Sequence, residues 1–151
     1  MDQLAYVIGQ EEAALKLFIA ALQDEQEALK TGDTDRLEPV VAAKNRHIEA
    51  LGRLGFQRNQ LLKVARLPED REGLTRWAKD SGNGELVAGF LRQVDEAREL
   101  NRLNGQLIAM RLNSTQAALA SLTPHRAAGQ GLYGPKGQTS FNTGYRLIDT
   151  V

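Results

Sequence analysis

The first thirty residues carry the tightest constraint on what this chain can become. Leu4, Ile8, Glu11, Leu15, Phe18, Leu22, Glu25 and Leu29 follow one another at alternating steps of four and three. That alternation is the heptad of a coiled coil, in which one continuous helix face is held against a partner. No proline falls in residues 3–30, and the one glycine there is Gly9. Two positions on this otherwise apolar seam are glutamates, and a carboxylate on a buried face is costly unless it is paired.

A second seam offers partners. Leu37, Val41, Lys44, Ile48, Leu51, Gly55, Arg58, Leu62 and Ala65 repeat the same steps, with two cations among them. Between the seams, Lys30-Thr31-Gly32-Asp33-Thr34 reads as a turn. Gly32 suits a left-handed helix end, and Asp33 or Thr34 can accept bonds from the next helix's first N–H groups. Helices are expected over residues 3–30 and 35–66, with Pro39 in the first turn of the second, where its missing N–H costs little. So short a connection makes the two helices antiparallel neighbours. If partner numbers sum to 69, Glu25 meets Lys44, Glu11 meets Arg58, Phe18 meets Leu51 and Leu4 meets Ala65. One register then answers both acidic interruptions. Two arrangements of the charges stay open: pairs across the interface that fix the register, or long side chains that snorkel outward and never touch.

Pro68 ends the second helix, since proline disfavours helical geometry in the residue before it. Residues 69–79 can form a short helix carrying Leu74, Trp77 and Ala78, read as a lid over the end of the bundle, and Ser81-Gly82-Asn83-Gly84 as a loop. A third long helix is expected from about residue 85 to 122. Leu86, Phe90, Val94, Ala97, Asn101, Ile108, Leu112, Thr115, Leu119 and Leu122 lie within a sector of about 80° along it, and that sector can face the hairpin. A second stripe, Leu100, Leu103, Leu107 and Met110, lies to one side. Together the stripes span about 200°, more than packing on a two-helix hairpin requires. The surplus can be core against the first or second helix, a packing surface under Trp77, a homodimer contact, or a groove wall for a partner's helix. The fold class is therefore all-α: an antiparallel bundle of three long helices and one short one, occupying residues 1–122. Residues 123–151 hold five glycines between 129 and 144 and no surviving period. This composition reads as a flexible C-terminal tail, with Tyr133, Phe141 and Tyr145 isolated in polar sequence.

Composition narrows the function classes. Lys plus Arg equals Asp plus Glu at 19 each, which argues against a nucleic-acid binder. There is no cysteine, so disulfides, thiolate metal sites and a cysteine nucleophile are excluded. Met1-Asp2-Gln3-Leu4 lacks the basic start of a signal peptide, and no apolar run approaches the ~18 residues that span a bilayer, so a cytoplasmic protein without membrane insertion is expected. His47 and His125, the only histidines, form no metal or acid–base constellation by spacing. Gly131 to Ser140 has the glycines of a phosphate loop but neither its Gly-Lys-Ser/Thr order nor a preceding strand. No enzyme activity, metal or cofactor is expected.

The sequence resembles the FlgN family of flagellar export chaperones over nearly its whole length. Three pieces carry the resemblance. The first is the opening helix with Leu22, Glu25, Ala28 and Leu29, then the Gly-Asp turn and Leu37. The second is Lys44 with Ile48 and Leu51 behind it. The third is Asn101-Arg-Leu-Asn-Gly-Gln-Leu-Ile-Ala, followed by the tail Leu132-Tyr133-Gly134-Pro135-Lys136-Gly137-Gln138. Their order and the Tyr-Gly-x-x-Gly tail are more specific than any one of them. The resemblance implies a cytosolic chaperone for the C-terminal amphipathic helices of the hook-associated proteins FlgK and FlgL. It also implies docking at the flagellar export gate through Tyr133, and no nucleotide or metal of the chaperone's own. For the client-binding surface the expected residues are Leu100, Leu103, Leu107 and Met110, continued by Leu119 and Leu122. The alternative is a non-enzymatic coiled-coil scaffold or homo-oligomeric adaptor with no export role.

Overall fold

A computed structural model describes residues 2–122, and among them every regular element is a helix. Helix α1 spans Gln3–Thr31, α2 Thr34–Val64, α3 Arg71–Ser81 and α4 Gly84–Leu122. The expected boundaries of the long helices hold to within two residues. Asp2 caps α1, accepting from the amides of Leu4 and Ala5. Gly32 closes α1 in the left-handed region at φ 74°, and Asp33 then starts α2 by accepting from the Arg36 amide. Pro39 sits deeper in α2 than the first turn, so the helix lacks the amide that would bond the Asp35 carbonyl.

Helix α1 is the hub. Both α2 and α4 pack on it, and α3 packs on α4. The two ion pairs read from the seams are present and buried. Lys44 Nζ donates to Glu25 Oε1 at 2.7 Å, and Arg58 Nη1 donates to Glu11 Oε1 at 2.6 Å. Both partner sums equal 69, so the hairpin is antiparallel in the expected register. The snorkelling arrangement is excluded, because all four side chains are almost wholly removed from solvent. In α2 only Lys44, Arg58 and Leu62 are buried, so two of its three buried residues are cations, with Ile48, Leu51 and Leu61 packed partly buried against the core.

Helix α4 runs parallel to α1. Its bonded partners on α1 lie 79 to 82 positions earlier in the chain: Glu12 to Gln93, Leu22 and Glu25 to Asn104, and Leu29 to Arg111. The core is the set of apolar side chains between them, including Ile8, Leu15, Phe18 and Leu22 from α1 and Val87, Phe90, Val94 and Ala97 from α4. Helix α3 lies antiparallel along the first turns of α4 and is tied to it by Arg71 and Asp95 at 2.5 Å. Leu74 and Ala78 are buried and Trp77 partly so. The short helix therefore flanks α4 and contributes Leu74 and Ala78 to the core.

Candidate functional site

The offset between α1 and α4 decides which part of α4 is core. Thr31, the last residue of α1, stands level with residues 112–113 of α4. The ten residues above that level extend the helix by about 15 Å beyond the α1–α2 turn. Below it, Val87, Phe90, Val94, Ala97, Asn101 and Asn104 are buried against α1. At that level Leu112 is 40% exposed, and above it Leu119 is 59% and Leu122 78% exposed. The expectation that the through-stripe faces the hairpin along its whole length is thus corrected. It does so as far as the half-buried Ile108, and the next member, Leu112, already stands level with the last residue of α1.

Polar contacts fix α4 where it leaves the bundle. Glu25 joins three helices: its second oxygen accepts from Asn104 Nδ2 at 2.8 Å while Lys44 holds the first. Asn104 Nδ2 also donates to the Leu22 carbonyl at 2.8 Å. About two turns higher, Arg111 Nε donates to the Leu29 carbonyl at 2.6 Å, satisfying an acceptor in the last turn of α1. Neither role is legible in the sequence. Asn104 lies on the sector of the first stripe, but a polar side chain there names no partner, and Arg111 reads as one more solvated cation.

The second stripe divides along the same axis. Leu100 is half-buried and packs against the core. Leu103 and Leu107 are half-buried, and Met110 is 67% exposed. The expected client residues therefore form one graded surface, from a rim on the bundle at Leu100 to open helix at Leu122. Tyr133 lies outside the described residues. A separate apolar patch has no counterpart among the sequence expectations. Exposed Tyr6 and Phe56, with Val7 and Leu61, line a cavity of about 320 Å³ between the start of α1 and the end of α2, rimmed by Gln3, Gln57 and Gln60. Among the described residues no three His, Cys, Asp or Glu side chains converge as metal ligands. No helix there is long and apolar enough to cross a membrane.

Similarity to known proteins agrees with this geometry. The sequence profile of the FlgN protein family matches residues 1–140. The chain belongs to the FlgN family. A solved structure agrees in fold: the crystal structure of a Pseudomonas aeruginosa protein assigned to flagella synthesis as FlgN superposes with a TM-score of 0.63. It shares 24% identity, over 81% of this chain and 94% of that one. No curated protein matches at a significant level. The match to the FlgN profile runs past the last described residue and includes Tyr133 and its Gly-Pro-Lys-Gly neighbourhood. Family membership supports a flagellar export chaperone role in broad terms.

Proposed function

We propose that this FlgN-family chain is a cytoplasmic, non-enzymatic chaperone of flagellar type III export. In this reading it binds the C-terminal amphipathic helices of FlgK and FlgL and delivers them to the export gate, with Tyr133 serving the gate rather than the client. The observation that carries the reading is the graded apolar surface of α4. A client helix laid along Leu103, Leu107 and Met110 finds apolar area on a rigid helix that the bundle itself leaves half uncovered. Met110 adapts to unequal partners through its flexible, polarizable side chain. Each leucine that a client fully covers supplies ~1.5–3 kcal/mol in transfer terms, before the cost of ordering the client is subtracted. Because Leu103 and Leu107 are already half-buried, the gain per residue lies toward the lower end.

Capture of tagged FlgK and FlgL C-terminal helices tests the reading. The wild-type chain should retain both. Leu103→Asp with Leu107→Asp should lose at least ~10-fold in affinity while circular dichroism stays helical. Undiminished capture by that folded double variant would place the client elsewhere, and the Tyr6–Phe56 groove would be the next surface to mutate.

A further inference from the structure

The row Leu112, Thr115, Leu119 and Leu122 continues, on the same sector of about 80°, the line along which Phe90 to Asn104 bury against α1. A seam that closes the bundle below thus runs on, in register, past the end of α1. Its side chains become more exposed with height, from 40% at Leu112 to 78% at Leu122. No charged residue lies between positions 112 and 122. The Thr115 hydroxyl donates to the Arg111 carbonyl at 2.9 Å and the Ser121 hydroxyl to the Ala118 carbonyl at 2.7 Å. Both hydroxyls are satisfied within the helix, which leaves Thr115 to present a methyl group.

We propose that this projecting end of α4 pairs with its counterpart in a second copy of the chain, antiparallel, about a two-fold axis near residue 117. Steps of three, four and three read the same in both directions. Leu112 of each copy therefore faces Leu122 of the other, and Thr115 faces Leu119. Three features favour a second copy as the occupant. The segment is uncharged and the chain is neutral overall, so two copies meet without repulsion. Antiparallel pairing opposes the two helix dipoles. The overlap from 112 to 122 also brings Leu122 of each copy level with the last residue of the other's α1, at the edge of its bundle. A longer overlap would drive Leu122 into the turn at Gly32 and Asp33, which fixes the register from outside the seam. Eleven residues of paired helix bury less than the ~1,200 Å² of a standard interface, so the dimer is weak and reversible. The pairing does not depend on the client reading. Where both hold, client and second copy compete for Leu119 and Leu122.

Sedimentation velocity of the full chain from about 1 μM to about 1 mM should show a reversible monomer–dimer equilibrium. Leu122→Asp should stay monomeric throughout, with an unchanged helical spectrum. Since the chain has no cysteine, Leu112→Cys and Leu122→Cys variants can be mixed under mild oxidation, and the mixture should cross-link several-fold more than either variant alone. A wild-type chain that remains monomeric at about 1 mM, or a dimer indifferent to Leu122→Asp, would overturn the proposal. So would Leu112→Cys cross-linking best to itself, which would mean parallel pairing.

Discussion

A glutamate facing an arginine is ordinarily counted as held in its ionised form, yet burial at Glu11 works the other way. Its carboxyl and the Arg58 guanidinium are both withdrawn from water, with the Phe90 ring centroid 5.6 Å from the guanidinium carbon. One Glu11 oxygen and Arg58 Nε have no bonded partner. Desolvation outweighs the attraction and hydrogen bond of Arg58 and raises the Glu11 pKa from 4.5 to about 7. The folded chain therefore holds a proton that the unfolded chain has released over this interval. Stability linked to Glu11 is complete below pH 4.5 and is lost as pH rises through about 7. Its slope is at most ~1.4 kcal/mol per pH unit, and the total is up to ~3 kcal/mol. Urea unfolding between about pH 5 and 8 should show the wild type losing stability with pH relative to Glu11→Gln, which mimics the protonated side chain. A wild type that instead gains on the variant as pH rises would show that Arg58 dominates. At Glu25, Lys44 and Asn104 each donate to one carboxylate oxygen. Asn104 also donates to the neighbouring Leu22 carbonyl, so removing it would loosen α4 from the same point that holds α2.

At the scale of elements, the connection from α2 to α4 is set by one close approach. The chain leaves α2 through Arg66, in the left-handed region at φ 59°, and turns back into α3. A Cβ on Gly73 would stand 1.8 Å from the Pro68 carbonyl oxygen, which is backbone and cannot rotate away. Gly73→Ala must therefore push the start of α3 off the loop, although alanine is the better helix former. Thermal unfolding should show a loss of about 2–4 kcal/mol, against a gain of under ~1 kcal/mol from propensity alone. An unchanged melting temperature would mean that the loop shifts freely. This contact is not legible in the sequence, since a glycine in a short helix looks only like a weak helix former. The hairpin register is legible, because a charge on an apolar seam breaks the pattern and its answer must lie on the facing seam. The extent of the core along α4 is not. Periodicity gives the direction in which a helix faces, whereas the level at which its partner stops depends on the 79-to-82-residue offset fixed by α3 and its loops. Phe90 and Leu122 read alike as members of one stripe, although the first is buried and the second open. The half-buried Ile108 lies just below the level where the two regimes meet.

Across the whole molecule, burial falls steadily from the base of α4 to its tip, and exchange of backbone amides should report that gradient. At about 1 μM, where second copies are scarce, amides over residues 113–122 should exchange at least ~100-fold faster than those over 94–104. Equal protection in both stretches would show that the projecting end is covered within one chain. The parallel pairing of α1 with α4 has a further consequence, in the order of synthesis. Helix α2 follows α1 after only a two-residue turn, so the hairpin can close as soon as it is made. The other side of α1 waits for residues 79 to 82 positions further on. At ~5–20 residues per second, Leu22 and the second oxygen of Glu25 stay uncovered for several seconds before Asn104 is added. Each newborn hairpin thus passes through an interval in which α1 presents an apolar strip with a carboxylate beside it. During that interval any amphipathic helix carrying a well-placed donor can occupy the place of α4, and the chain's own α4 must win it back by being tethered nearby.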